Sequence, residues 1–134
     1  MRPARGIVAI ACVATAISAG VAAVAAPTQE PEFSQLLAQH RQDISTPAGQ
    51  QDEHQWTEHY QASYGAVLGA CIQNSGPPTP FEVIFVIDKD GHVTRGVPKT
   101  PSGLVTCVIA AAQRDTFPKP PFAPFHEHLV QSFD

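Results

Sequence analysis

The pattern of apolar and polar positions predicts two helices and three strands beyond residue 51. Residues 81–87 form a nearly unbroken apolar run rich in β-branched and aromatic side chains, which is typical of a strand buried on both faces. A turn signal follows at residues 88–91, where Gly91 can take the positive φ that closes a tight hairpin. Residues 92–97 then alternate, as a strand with one wet face does. One side of that strand carries Val93, Arg95 and Val97.

A helix with an apolar side lies on each side of this hairpin in the sequence. From residue 52, apolar residues recur at spacings of three and four, which predicts a core helix that ends near residues 74–78. Its stripe consists of Trp56, Tyr60, Tyr64, Val67, Leu68, Cys71 and Ile72. Because its aromatic residues lie on this stripe, we interpret them as core rather than as a recognition patch. Residues 104–116 predict the second helix, with Leu104, Val108, Ala111 and Ala112 on its buried side and Cys107 beside them.

A proline cluster separates the second helix from the last strand. Pro118, Pro120 and Pro121 prevent the helix from continuing and predict an extended crossover. The strand that follows spans residues 126–133, with a mixed pattern that fits the edge of a sheet. Leu129, Gln131 and Phe133 share one face, and His128 and Val130 share the other.

Residues 26–51 are polar, glutamine-rich and interrupted by prolines, so we interpret them as a linker. Phe33, Leu36, Leu37 and Ile44 give a short helix one face to bury, but the break at residues 46–49 limits it. We therefore expect the folded domain to span residues 52–134, preceded by a tether with at most one weakly held helix.

Residues 1–25 have the pattern of an export signal. Arg2 and Arg5 precede an apolar run over residues 6–26, and small residues stand where signal peptidase requires them, so we expect cleavage after Ala25. Two alternatives remain: an uncleaved signal anchor, since the run is just long enough to cross a bilayer, and lipidation of Cys12. Export predicts a periplasmic protein.

Charge and cysteine content fit an exported domain. Cleavage removes two of the eight basic residues and none of the 12 acidic ones, which leaves a net charge of −6. We therefore expect no binding to nucleic acid and no direct membrane binding after cleavage. Cys71 and Cys107 remain, and in an oxidising compartment they favour a disulfide over two buried free thiols.

The candidate chemical groups do not form a recognisable catalytic or metal site. His126 and His128 lie on the same face of the last strand, but no third ligand is evident, so we expect no metal. Asp88 and Asp90 lack the remaining oxygen ligands of a calcium loop. His54 and His59 are interpreted as solvent-exposed. With no nucleophile elbow, available Cys-His pair or phosphate-binding glycine loop, we expect neither enzyme activity nor a cofactor.

The order of helix, hairpin, helix, proline cluster and final strand resembles the C-terminal domain of the TonB and TolA energy transducers of Gram-negative envelopes. The resemblance covers about residues 56–134. It rests on residues 83–93, on Cys107 followed by three alanines at 110–112, and on the Pro-Lys-Pro-Pro segment at 118–121. TolA-like domains join a strand cysteine to a helix cysteine, whereas here Cys71 comes from the preceding helix, so the bridge would join two helices.

This resemblance implies an α+β fold in which a small antiparallel three-stranded sheet packs with two helices. It also implies that an extended segment of a partner pairs with an exposed strand edge, as in β-augmentation. The implied edge is the last strand, with residues 81–87 in the centre of the sheet. The partner-binding residues on it are His126, His128, Leu129, Val130, Gln131 and Ser132.

The function that follows is an exported module that recognises an envelope or periplasmic protein by edge-strand pairing. Two alternatives remain. A secreted inhibitor would use the loops at residues 98–103 and 122–125, and a shortened transducer would keep its N-terminal helix as an anchor. Self-pairing of the exposed edge into a homodimer is also open.

The cleavage prediction is tested by N-terminal sequencing of the protein recovered from a Gram-negative envelope fraction after expression of the full chain. We expect the mature protein to begin at Ala26. Recovery of residues 1–25 on the membrane-bound protein would contradict cleavage and favour the anchored alternative.

Overall fold

The computed structural model describes residues 29–134, so the predicted export signal lies outside the described residues. Three helices and one three-stranded antiparallel sheet are present in this range. The helices are α1 (Glu30–Asp43), α2 (Pro47–Ser75) and α3 (Gly103–Arg114), and the strands are β1 (Phe81–Ile87), β2 (Val93–Pro98) and β3 (Phe125–Gln131). The strand order is β2-β1-β3. The α+β class, the central position of β1 and the edge position of β3 are therefore confirmed.

The hairpin between β1 and β2 forms where the turn residues predict it. Gly91 has a φ of 87°, and the Asp88 side chain accepts hydrogen bonds from the backbone N–H groups of Asp90 and His92. The register shifts between Val86 and Ile87, which marks a β-bulge.

Because of this bulge, the predicted alternation in β2 is wrong in one detail. Val97 pairs with Ile84, whereas Val93 pairs with Ile87, so the two valines lie on opposite faces of the sheet. An extra residue in one strand reverses the facing of every residue beyond it, and the sequence pattern alone does not show where this happens.

α2 carries the predicted apolar stripe but begins earlier than expected. Thr46 is its N-cap, accepting a hydrogen bond from the Gly49 N–H, and Pro47 occupies the first helical position, where a missing N–H costs nothing. The predicted break at residues 46–49 is thus a helix start. Trp56, Tyr60 and Tyr64 are buried and stacked, which confirms their core role.

The two faces of β1 belong to two hydrophobic clusters. Val83, Phe85 and Ile87 face α2 and α3 in the larger cluster, whereas Ile84 faces α1 in the smaller one. The smaller cluster consists of buried Phe33, Ile84 and Val97, with Leu36 and Leu37 partly buried against it. The sheet is therefore a layer between helices on both sides.

The presence of α1 shows that residues 26–51 are not simply a polar linker. The described residues contain three helices, one more than the two predicted. Phe33 is only 2% exposed, and Glu32 forms an ion pair with Arg95 on β2. An apolar stripe of three residues is short, but it is sufficient because the sheet has only three strands to cover. α1 is part of the folded unit.

Cys71 and Cys107 form a disulfide that joins α2 to α3, as expected for this pair of cysteines. The two Cα atoms are 5.7 Å apart, and 36 positions separate the residues in the sequence. Among residues 29–134, no helix is long and apolar enough to cross a membrane.

Loss of the disulfide is expected to lower the free energy of unfolding by about 4 kcal/mol, because the unfolded chain regains the entropy of an open loop. The change is the double variant Cys71→Ala and Cys107→Ala, compared with the oxidised protein by urea denaturation. The wild-type protein kept in reductant serves as the matched control. Labelling of both cysteines by a thiol reagent after unfolding of the oxidised protein would contradict the bond.

Candidate functional site

β3 turns one row of backbone groups towards β1 and the other row away from the sheet. In an antiparallel pair these rows alternate by residue. The His126 N–H and C=O contact α1 rather than β1, which fixes the alternation. His128 and Val130 therefore also point outward, whereas Glu127, Leu129 and Gln131 pair with β1.

α1 occupies the first part of this outer edge. The His126 N–H donates to Asp43 Oδ2 at 2.9 Å, and the His126 carbonyl accepts from His40 Nδ1 at 2.7 Å. The His126 ring lies 2.8 Å from the same Asp43 oxygen through Nδ1. These contacts occupy the outward backbone groups of His126, so an added strand cannot pair with His126 while α1 is in this place.

The remaining edge, residues 128–132, is open in the described part of the chain. Within residues 29–134, the outward N–H and C=O groups of His128 and Val130 have no hydrogen-bond partner. The Val130 side chain is 61% exposed, which is unusual for an apolar residue on a strand of this domain. We call residues 128–132 the open edge.

A groove runs beside the open edge and has α2 as its other wall. Its volume is about 370 Å³. The α2 wall consists of Trp56, Thr57, Tyr60 and Gln61. The indole Nε1 of Trp56 is buried and has no hydrogen-bond partner among the described residues. The α2 wall of the groove is thus partly aromatic, and it lies next to unpaired backbone groups.

A second groove, of about 470 Å³, continues from the far end of the open edge. Glu82 and Lys99 line it, joined by an ion pair at 3.2 Å, and His128 Nε2 lies 3.2 Å from the other Glu82 oxygen. Burial alone would raise the pKa of Glu82, but the hydrogen bonds from Lys99 and His128 outweigh it and hold that pKa below its ordinary value. Glu82 is therefore the fixed negative charge at this end of the edge.

The other predicted residues of β3 have different roles. Leu129 is buried in the core, and the Gln131 side chain accepts a hydrogen bond from the Tyr60 hydroxyl at 3.0 Å. Both residues use their backbone groups to pair with β1, so a partner could contact them only where they line the groove. Ser132 is exposed at the end of the strand.

A cluster of carboxyl and imidazole groups lies next to the closed part of the β3 edge. We call it the carboxyl–histidine cluster. It consists of His40 and Asp43 from α1, Asp52 and Glu53 from α2, and His126 and Glu127 from β3. The two histidines of β3 do not come together on a shared ligand, because His126 contacts Asp43 and His128 contacts Glu82.

Glu127 is the most deeply buried charged residue in this cluster, with an exposure of 1%. Burial, and then the negative charges of Asp52, Glu53 and Asp43, raise its pKa to about 9. Burial also raises the pKa of Asp52 to about 6, partly offset by a hydrogen bond with Glu127. At neutral pH this pair therefore holds a proton on Glu127.

The sequence pattern did not reveal this cluster, because its members come from three elements that are separated by up to 87 positions of the chain and meet only in the fold. One local signal was present. Glu127 stands between Phe125 and Leu129 in a two-residue alternation that faces the core, so a carboxyl group on that side of the strand must be buried.

A separate polar contact joins α2 to the segment after α3. Asp115 Oδ2 lies 2.9 Å from His59 Nε2 and accepts a hydrogen bond from the Tyr64 hydroxyl at 3.1 Å. His59 is therefore paired and half-buried rather than solvent-exposed, whereas His54 is exposed as expected. Burial and the Asp115 charge raise the pKa of Tyr64, so its hydroxyl stays protonated as a donor.

Comparison of the chain with protein-family models gave no match, and comparisons with curated proteins and with solved structures gave none either.

The buried Glu127 predicts an unusual pH dependence of stability. The folded protein keeps this proton up to about pH 9, whereas an unfolded glutamate releases it near its ordinary pKa of 4.5. Between these values the folded state binds more protons, so the free energy of unfolding falls as pH rises, by at most about 1.4 kcal/mol per pH unit. Glu127→Gln should flatten this slope and be the more stable form at about pH 8.

Urea denaturation across the interval from about pH 5 to about pH 8, in a chelating buffer, measures this slope. Glu58→Gln removes the same charge at an exposed position of α2 and should leave the slope of the wild type unchanged. Parallel profiles for the wild type and Glu127→Gln would contradict the raised pKa.

Proposed function

We propose that this protein is an exported, periplasmic binding module that captures an extended segment of an envelope protein as an additional strand on β3. The observation that carries the proposal is the open edge, where the outward backbone groups of His128 and Val130 lack partners within residues 29–134. An unpaired edge of this kind is the surface that β-augmentation uses.

The groove beside the open edge supports a peptide rather than a globular surface as the ligand. An added strand would place alternate side chains towards the α2 wall, where Trp56 and Tyr60 provide aromatic surface. Backbone pairing would supply affinity, and the groove would supply selectivity.

The shortness of the open edge constrains the binding mode. Only His128 and Val130 present unpaired outward backbone groups within β3, and each net hydrogen bond contributes about 1 kcal/mol. Affinity must therefore also come from side chains in the two grooves. The ion pair of Glu82 and Lys99 makes the far end of the second groove polar, which favours a polar residue at that end of the bound segment.

The resemblance to the TonB and TolA C-terminal domains supports the same proposal, since it implies edge-strand pairing by a domain with this order of elements. No metal or cofactor takes part in strand pairing.

One observation favours the inhibitor alternative. Phe122 is 40% exposed in the loop before β3, and its ring packs on Phe125 at 5.2 Å between centroids. An inhibitor that inserts a loop into an enzyme would use an exposed aromatic residue of this kind. The same residue therefore provides a variant that separates the two functions.

Val130→Pro is expected to weaken partner binding by about tenfold or more. Proline removes the outward N–H and blocks the approach of a strand, but β3 keeps its bonds to β1 because Val130 does not donate to β1. Val130→Thr is the matched control, because it keeps the N–H and the β-branched shape, and it should bind as the wild type does. The protein, expressed as the full chain, captures partners from envelope extracts, and mass spectrometry identifies them.

Amide hydrogen exchange on the complex with the captured protein then locates the site. We expect slower exchange at His128 and Val130 in the wild type. Capture that survives Val130→Pro but is lost in Phe122→Ser would contradict edge pairing and favour the inhibitor. A homodimer that Val130→Pro dissociates, with no other protein captured, would contradict an envelope partner.

A further inference from the structure

Three side chains from three different elements converge at one point of the carboxyl–histidine cluster. They are His40 of α1, Glu53 of α2 and Glu127 of β3. One possible ligand atom from each lies within 4.8 Å of the other two, and His40 Nε2 is 3.6 Å from Glu53 Oε1. A tetrahedral zinc site with bonds of about 2.1 Å needs its ligand atoms about 3.4 Å apart, so small side-chain rotations suffice.

The hydrogen bond on the other side of the His40 ring sets its ligand atom. The His126 carbonyl can only accept, so His40 Nδ1, 2.7 Å away, must carry the proton. In the neutral ring, Nε2 then has a free lone pair that points to the side where the carboxylates lie. Histidine ligands of metals have this arrangement, in which one nitrogen binds the ion and the other donates to a carbonyl or carboxylate.

Glu127 provides an independent observation. Its side chain is 1% exposed, and its Oε1 has no hydrogen-bond partner among the described residues. A buried carboxyl oxygen without a partner is costly, and the neighbouring Asp52 and Glu53 carboxylates are acceptors when ionised. A cation at the point of convergence would satisfy the Glu127 carboxylate, the Glu53 carboxylate and the His40 lone pair together.

We propose that His40 Nε2, Glu53 and Glu127 bind a divalent transition-metal ion, with zinc as the best fit. One imidazole and two carboxylates are ligands that zinc accepts, and three protein ligands leave a fourth position for water. Glu53 is 38% exposed in its side chain, so an ion can enter from solvent on this side. The ion ties α1, α2 and β3 together, a role separate from partner binding at the open edge.

Calorimetric titration of the chelator-treated full-chain protein with zinc chloride tests the site. We expect one ion per chain with micromolar or tighter affinity, and a higher melting temperature in the presence of zinc. Glu53→Gln and Glu127→Gln should each weaken binding by at least about tenfold. Both variants are neutral and nearly isosteric, and Glu53 is partly exposed, so circular dichroism should show an unchanged fold.

Two other histidines serve as matched controls, because each also lies near a carboxylate. His54 contacts Glu58 on the surface of α2, and His92 lies near Asp88 and Asp90 in the hairpin turn. His54→Gln and His92→Gln should bind zinc as the wild type does. The absence of heat at micromolar zinc, binding unchanged in both glutamate variants, or loss of binding in either control would overturn the assignment.

Discussion

The burial of β1 on both faces is the constraint on which the arrangement of the other elements depends. A central strand of a three-stranded sheet has no wet side when helices cover both faces, and Val83, Ile84 and Phe85 are all completely buried. α2 and α3 cover one face and are joined to each other by the disulfide. α1 covers the other face, with Phe33 as its main apolar contact. Without α1, Ile84 and Val97 would face water.

Different physical interactions hold the helices on the two faces of the sheet. α2 and α3 are held by stacked aromatic rings and by the disulfide, whereas α1 is held by three apolar residues and by polar contacts at its C-terminal end. Those polar contacts are also what closes the first part of the β3 edge, through His40 and Asp43. Fold and candidate binding surface are thus linked, because the element that completes the core also determines how much of the edge remains unpaired.

The face of the sheet that α2 and α3 cover could be predicted from the sequence, whereas the face that α1 covers could not. The stripe from Trp56 to Ile72 repeats for five helical turns, and the apolar run of β1 ends at a turn with a necessary glycine, so local pattern was sufficient there. α1 has only a short stripe in a polar segment. Its hydrogen bonds with His126 are made across more than 80 positions of the chain, which no local pattern reveals.

The candidate functional site could also be predicted only in part. The open edge could be placed on β3 from its mixed pattern, but its length could not, since the closure of His126 depends on α1. The carboxyl–histidine cluster was missed because each member is ordinary in its own segment. Only Glu127 was locally out of place, as a carboxyl group on the buried side of a strand.

The way in which α1 is attached determines how many outward backbone groups of β3 are unpaired. Residues 44–46 connect α1 to α2, and the disulfide of the described residues joins α2 to α3, so α1 is held against the sheet by noncovalent contacts. Loss of those contacts would free the His126 backbone and lengthen the unpaired row by one outward residue, and it would expose Ile84 to water.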